Sequence, residues 1–380
     1  GLKNTKPNTN ICPICTGMPG AKPMLPNEEA LKKILQATLI LQCKINPSFS
    51  WQRKHYDWPD LPKGYQNTIS GAYATPVGEN GQFMNIKIKE THLEEDPAAW
   101  NPETGEIDYN RSGSPLIEIV TNPDFQNAEQ VIQWLKSLII ALSYVKAIDS
   151  SAGIKIDVNV SLGGERVEIK NMNSLENIKT AIEYETKQQE KHPQRIKETK
   201  AFNVETGKTI TMRTKEGQAD YRFISDPDLP IIKLNNIYME RIKSKIPETP
   251  QVKLEKLIKK HKIDKSSAEI LAKNIDIVEF FEKVIEKVPA AIAVPWVTIE
   301  LLRVLNYSKK TLDEIDLNVN HFIELLELVM KKTITELKAK QILNEFLPKS
   351  FSLKEKIKGH EIISDAKEIE QLAEKVIKNN

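Results

Sequence analysis

Glycine is confined to one part of this chain: 14 of its 15 glycines lie at or before Gly217, and the other is Gly359. Glycine serves tight turns and close backbone approaches and weakens helix interiors. The chain must therefore pass from a strand-rich region to a helical one somewhere after Gly217. Two proline clusters bracket the change, residues 226–230 (DPDLP) and 247–250 (PETP). Proline ends a strand by removing a ladder donor and is well placed in the first turn of a helix. The boundary is thus expected near residues 235–247. At 380 residues, the chain is long for one core and comfortable for two or three.

Before the boundary, Met84, Ile86 and Ile88 alternate with lysines, and Ile154, Ile156, Val158 and Val160 alternate with polar residues, as half-buried strands do. Leu116–Val120 reads as a short apolar strand carrying one acid. Val131, Ile132, Leu135, Leu138, Ile139 and Leu142 recur at helical spacing, with Asn127 as N-cap and Gln130 three residues on. Leu175, Ile178 and Ile182 mark another helix. Strands without regular βαβ alternation predict an α+β sheet domain. After Pro250 the apolar stripes are all helical: Leu254, Leu257 and Ile258; Ile299, Leu302 and Leu305; Phe322, Leu325, Leu326 and Val329. The expected domains are 1–240, 247–310 and 311–380.

Charge and cysteine narrow the function. Lys+Arg 54 against Asp+Glu 52 leaves +2, which excludes a binder that works by bulk positive charge. No uninterrupted apolar run reaches 18 residues, so no membrane span is expected. Three cysteines cannot build a disulfide framework, and a Cys12-Pro-Ile-Cys15 pair suits a reducing, cytoplasmic setting. The pair has the spacing of half a tetrahedral zinc site. Cys43, four residues after Leu39 on an apolar helical face, reads as core. No signal peptide is evident, and the chain opens with Gly1, as an internal start or a fragment would.

The informative residues are acids inside strands. Glu118 shares a face with Leu116 and Val120; if that face is buried, an ionised Glu there costs several kcal/mol unless paired or bound to a cation. Glu94 continues the parity of Met84, Ile86 and Ile88, with His92 between. Asp157 stands beside Asn159, opposite Ile156 and Val158. Three acids on strands of one sheet, with a histidine nearby, is a common way to hold Mg²⁺ and leave room for phosphate oxygens. The plainer alternative is that each acid pairs with its own lysine or arginine. Lys54 can steer a phosphate or cap a sheet edge. P-loop, dinucleotide and HExxH signatures are absent, and Gly163-Gly164 reads as a hairpin turn. Residues 241–265 hold nine basic residues against three acidic ones. Lys253, Lys256, Lys259, Lys260 and Lys262 there surround the Leu254–Leu257–Ile258 stripe, either as a phosphate-contacting patch or as a solvated helix face.

Six runs then stand out in order: residues 10–20 (NICPICTGMPG), 53–66 (RKHYDWPDLPKGYQ), 92–96 (HLEED), 110–120 (NRSGSPLIEIV), 167–174 (VEIKNMNS) and 220–223 (DYRF). Together they resemble the GatB/GatE family, the B subunits of aspartyl/glutamyl-tRNA amidotransferases. The resemblance implies a sheet domain similar to glutamine synthetase, followed by a helical domain and the start of a helical tail. It implies that ATP phosphorylates the side-chain carboxylate of Glu or Asp mischarged on tRNA(Gln) or tRNA(Asn). Ammonia from the partner amidase, the enzyme's A subunit, then displaces the phosphate, with a small C subunit in the complex. Glu94, Glu118 and Asp157 match the family's metal and active-site acids, with Glu95 beside them as a further catalytic candidate. Lys54 matches an active-site lysine, and Lys54 and Arg111 are the implied cofactor-binding residues. Magnesium is the implied metal, with zinc at Cys12 and Cys15 as a partial site.

Two departures qualify the match. The family opens with a Gly-Leu-Glu-x-His strand and an upstream cysteine pair, and this chain starts after them; its tail runs on beyond residues 363–380. The chain is expected to be truncated at both ends. The absence of a large insertion after Pro230 favours the three-subunit enzyme. The competing reading is a non-catalytic tRNA-binding or scaffolding protein.

Overall fold

The chain divides between Pro247 and Glu248 into two units. The computed structural model describes residues 5–148, 154–172, 174–214 and 221–353. Residues 363–380, Asn173 and Asp220, which the sequence singles out, lie outside the described residues.

The first unit runs α1 (Glu28–Ile40), β1 (Lys44–Ile45), β2 (Ser48–Phe49), β3 (Gln52–His55), β4 (Gln66–Thr68), β5 (Gly78–Phe83), β6 (Ile86–Glu95), β7 (Ala99–Trp100), β8 (Ile107–Asp108), β9 (Pro115–Thr121) and α2 (Ala128–Tyr144). It continues with β10 (Ile156–Val160), β11 (Val167–Met172), α3 (Leu175–Lys191), β12 (Glu198–Asn203), β13 (Lys208–Thr214), β14 (Arg222–Ser225), β15 (Ile232–Lys233) and α4 (Asn236–Lys243). The main sheet has the order β1-β5-β6-β4-β3-β14, with β9 on the other edge of β6, and its pairings are antiparallel. A second sheet, β10-β11-β12-β13, is mixed, because β11 and β12 run parallel. The unit is α+β.

Helix α1 begins where Asn27 accepts from the Ala30 N–H, and α2 where Asn127 accepts from the Gln130 N–H, as its sequence predicts. Both cover one face of the main sheet. Ile86 and Ile88 pack with Ala37, Leu41, Trp134, Leu135 and Leu138, while Leu93 packs with Ile34 and Leu35. Gly78 and Gly81 allow this closeness: a Cβ at Gly78 would meet Thr38 Cγ2 at 2.2 Å, and one at Gly81 would meet Cys43 Sγ at 2.3 Å. Cys43 is core, as expected, and burial pushes its thiol up to about 11.

Two features correct the sequence reading of β6. Met84 is not in the strand; it and Asn85 have φ of 46° and 65° and form the tight turn between β5 and β6. The β6–β9 register also slips by one residue between Ile88 and Glu90. The slip reverses which residues face the helices: Ile86 and Ile88 before it, Leu93 after it. Glu94 therefore does not continue the face of Ile86 and Ile88.

The second unit contains α5 (Pro250–Lys259), α6 (Lys265–Ala272), α7 (Ile275–Ile285), α8 (Ala290–Pro295), α9 (Leu302–Ser308), α10 (Val319–Met330) and α11 (Glu336–Glu345), and no strand among its described residues. Thr249 caps α5, with Pro250 in its first turn. Phe280 of α7 meets Phe322 of α10 edge to face at 5.1 Å, so the described core runs across residue 310. A π-helical turn, Trp296–Leu301, follows Pro295 and joins α8 to α9. Trp296, Val297, Leu301, Val304 and Leu305 are buried and Ile299, expected in the stripe, is exposed: from Val297 the buried residues fall at i, i+4, i+7 and i+8, a face that Ile299 does not share. The stretch Ala290–Ser308 is long and apolar enough to cross a membrane by length and composition. Here its apolar side lies in the helical core, and Glu300 pairs with Lys340 at 2.9 Å and Arg303 at 3.1 Å.

Candidate active site on the open face of the main sheet

In an antiparallel ladder, directly paired residues leave the sheet on the same side. The pairs His92↔Glu118, Glu90↔Val120, Thr68↔Glu94, Gln52↔Thr68 and Lys54↔Gln66 put Glu90, His92, Glu94, Glu118, Thr68, Gln66, Gln52 and Lys54 on one face. It is the face away from α1 and α2, since Leu93, Ile117 and Trp51 occupy the other.

Glu94 is 5 % exposed, which would cost several kcal/mol for an isolated carboxylate. It is satisfied by neutral donors: Thr68 Oγ1 at 2.6 Å, Gln66 Nε2 at 3.0 Å and Ser70 Oγ at 3.2 Å. Glu118 is different. It is exposed and makes no hydrogen bond or ion pair among the described residues. The condition under which it would need a partner, a buried face, is not met: the helices cover the other side. Surrounding protein and then the Glu94 charge nevertheless hold its carboxyl above the usual range, while His92 and Lys54 pull the other way. Nδ1 of His92 bonds the Ile69 carbonyl at 2.9 Å, and its Nε2 stands 3.5 Å from Glu90. Lys54 has no acidic partner among the described residues; its ammonium lies 4.8 Å from the Tyr221 ring centroid and 5.9 Å from that of Tyr56. Gln52 is fully enclosed, with no partner for either amide atom among the described residues.

Of the expected site residues, the fold gathers Lys54, Glu94 and Glu118. Three others lie elsewhere. Glu95 points to the opposite face, beside Leu93 in alternation, and pairs with Lys63 at 2.6 Å. Asp157 is on the second sheet, not a neighbouring strand of the first, and pairs with Lys170 at 3.1 Å. Arg111 ends a 3₁₀ turn (Tyr109–Arg111) and pairs with Asp96 at 2.7 Å. Hence the expectation of Glu94, Glu118 and Asp157 converging from adjacent strands fails for Asp157. Among the described residues, no three His, Cys, Asp or Glu side chains form a group that could hold a metal ion. The donors here do not close a magnesium site by themselves. Thr68 and Ser70 carry no sequence signal, and Gln66 only closes the 53–66 run, because a three-residue polar strand such as QNT has no apolar alternation to reveal it.

Cys12 and Cys15 face each other with sulfurs 3.1 Å apart, and the Cys15 N–H points at Cys12 Sγ at 3.4 Å. The hydrogen bond with Cys15 pulls the Cys12 thiol down, and burial pushes Cys15 up. Two sulfurs make half of a tetrahedral zinc set.

The basic run at 241–265 is split by the unit boundary, with α4 in the first unit and α5 in the second. Lys253 is buried and pairs with Glu282 at 2.6 Å; Lys256 pairs with Glu248 and Lys259 with Glu255. Lys260 and Lys262 have no acidic partner among the described residues.

Residues 2–240 match the GatB/GatE catalytic domain, and residues 279–380 match the GatB domain. The chain is 39 % identical to the aspartyl/glutamyl-tRNA(Asn/Gln) amidotransferase B subunit of Methanopyrus kandleri over 391 aligned residues, covering 100 % of this chain and 84 % of that protein. It is 38 % identical to the protein of that name from Methanocaldococcus jannaschii, covering 99 % and 83 %. The Methanothermobacter thermautotrophicus protein is 41 % identical, covering 89 % and 76 %. Family matches spanning most of the chain, together with relatives at this identity over nearly its whole length, place it: the chain belongs to the GatB/GatE family.

Proposed function

We propose that this chain is the tRNA-directed B subunit of an amidotransferase that converts Glu-tRNA(Gln) and Asp-tRNA(Asn) to Gln-tRNA(Gln) and Asn-tRNA(Asn) in the cytoplasm. Family membership and the names of its relatives support this, and one observation of the fold carries it. Lys54, Glu94 and Glu118 share an open face whose cation and outer acid are left unpaired by the described protein.

The reaction divides into two displacements. A side-chain carboxylate oxygen of the mischarged residue attacks the γ-phosphorus of ATP, and ADP leaves. Ammonia, supplied by a partner amidase, attacks the resulting acyl phosphate carbon, and phosphate leaves. Lys54 is suited to the first step, because an ammonium with no internal partner can neutralise phosphate charge as it moves. Glu118 is suited to the second, because an exposed carboxylate whose proton affinity is raised can take the proton that nitrogen sheds on forming the amide. Glu94, held by three donors, gives the face a fixed negative floor. The domain is also read as glutamine-synthetase-like, with the amidase (A) and small (C) subunits of the enzyme as partners.

Glu118→Gln in the full complex is the test. Amide transfer is expected to fall by about 10²–10⁴-fold, the usual span for losing a positioned acid or base, while glutamine hydrolysis continues. A variant that transfers amide at the wild-type rate would remove Glu118 from the mechanism. Trapping a phosphorylated glutamyl-tRNA separates this reading from a non-catalytic scaffold.

A further inference from the structure

The back of the main sheet carries a continuous polar chain that the reaction as drawn does not use. Asp226, whose side chain is wholly enclosed, accepts from Arg53 Nε at 3.1 Å and Nη2 at 3.2 Å, from Asn67 Nδ2 at 2.6 Å and from the Asp228 N–H at 2.8 Å. Arg53 Nη2 also donates to Asp228 at 2.8 Å, and Asp228 accepts from Lys22 at 2.8 Å. On the other side, Asn67, completely buried, accepts from Lys63 Nζ at 2.7 Å, and Lys63 donates to Glu95 at 2.6 Å. The chain therefore spans from Lys22 to Glu95 without a break.

Each strand member of this network is the sequence neighbour of a residue on the open face. Arg53 precedes Lys54. Asn67 lies between Gln66 and Thr68, both donors to Glu94. Glu95 follows Glu94. Adjacent strand residues point to opposite faces, so fixing one fixes the height and azimuth of the next. The backbone alone holds this corner weakly: β3 has four residues, β4 has three, and β4 meets β6 through the single register pair Thr68↔Glu94. Directional, charge-assisted bonds supply the precision that so short a ladder lacks.

We propose that Arg53, Asp226, Asn67, Lys63 and Glu95 are positioning residues that set the spacing of Lys54 and Glu94 across β3, β4 and β6. Glu95 then acts through the β6 backbone and touches no reacting atom. The inference rests on the open face being the reaction site.

The test uses the reconstituted full-length three-subunit complex with Glu95→Ala, Glu95→Gln and Asn67→Ala, each also combined with Glu94→Gln, assayed in single and multiple turnover below the melting temperature. Glu95→Ala and Asn67→Ala are expected to lower kcat for amide transfer about 10–100-fold, the scale of a displacement near 1 Å, with KM for the charged tRNA nearly constant. Glu95→Gln, which keeps an acceptor for Lys63, restores most of that loss. In the Glu94→Gln background Glu95→Ala lowers the rate no further, whereas a loss of folded protein would multiply through. Should Asn67→Ala not fold, the Glu95 pair at the rim still decides. Glu95→Gln as inactive as Glu95→Ala, full kcat in the alanine variants, or a multiplicative loss for Glu95→Ala with Glu94→Gln would each overturn the inference. A wild-type complex with no amide transfer would instead sink the reading of the face, and this inference with it.

Discussion

His92 and Glu118 sit directly opposite each other in the β6–β9 ladder, so both side chains leave the sheet on its open face. One slipped residue between Ile88 and Glu90 brings this about. Without the slip, the ladder would turn His92 and Glu94 towards the helices, along with Ile86 and Ile88. The bulge thus lets one ten-residue strand keep Ile86, Ile88 and Leu93 on the core side while turning His92 and Glu94 to the site.

Lys54→Met should therefore remove the one free cation identified on that face among the described residues. In the full complex, amide transfer is expected to drop about 10²–10³-fold, the scale of losing one preorganised electrostatic contact. Far-ultraviolet circular dichroism should stay unchanged, because Lys54 is only half-buried and joins no ion pair among the described residues. Wild-type turnover in Lys54→Met would deny the lysine its role.

Asp157 offers the contrast. It is exposed, on the second sheet, and its partner Lys170 also contacts Glu168 at 3.3 Å. Asp157→Asn should change stability by about 0–1 kcal/mol, as for a surface pair, and should reduce amide transfer far less than Glu118→Gln does. Equal losses in the two variants would return Asp157 to the reaction centre.

Asp226 ties stability to acid pH. Burial alone would raise its carboxyl, but hydrogen bonds from Arg53, the Asp228 N–H and Asn67 outweigh burial and leave it depressed. A depressed folded-state value means that the unfolded chain binds the proton more readily. The stabilisation is then fully present above the unfolded value of about 3.9 and is lost as pH falls towards the folded value. Chemical denaturation between pH 6 and pH 2.5 should show this fall, and Asp226→Asn should flatten it. Parallel curves for the two proteins would refute the assignment.

Zinc should be held weakly by this chain. Cys12 and Cys15 supply two sulfurs, and the described residues supply no third ligand. Metal analysis after dialysis against a mild chelator is expected to find well under one zinc per chain, since a two-thiolate chelate lacks half the tetrahedron. Stoichiometric retention would demand further ligands.

Much of this was readable from residue patterns, and the failures share one cause. The glycine asymmetry, the Asn127 cap and the Cys43 core position all follow from local chemistry, and the fold keeps them. What alternation misjudged was phase. The slip in β6 puts Glu94 on the other face, and Ile299 lies off the face that Val297, Leu301, Val304 and Leu305 share. The slip leaves no mark in a sequence of correctly typed residues, and a stretch as rich in apolar residues as 299–305 offers more than one helical stripe. Alternation also says which face a residue takes within a strand but not which sheet the strand joins, and so Asp157 was grouped with Glu118.

The lysines of α5 give the last test. Lys253, Lys256 and Lys259 are engaged with acids, so they contribute little free charge, whereas Lys260 and Lys262 are exposed and unpaired among the described residues. A contact to RNA phosphate releases counterions and steepens the salt dependence of binding by about 0.7–0.9 per contact on a log–log plot. If this helix end meets tRNA, Lys260→Gln with Lys262→Gln should flatten that slope by about 1.4–1.8. Changing Lys256 and Lys259 should flatten it less, because freeing Glu248 and Glu255 adds local negative charge that salt also screens. Glutamine hydrolysis should not respond to either pair. A slope unchanged by the Lys260 and Lys262 substitutions would make this end of α5 an ordinary solvated helix face.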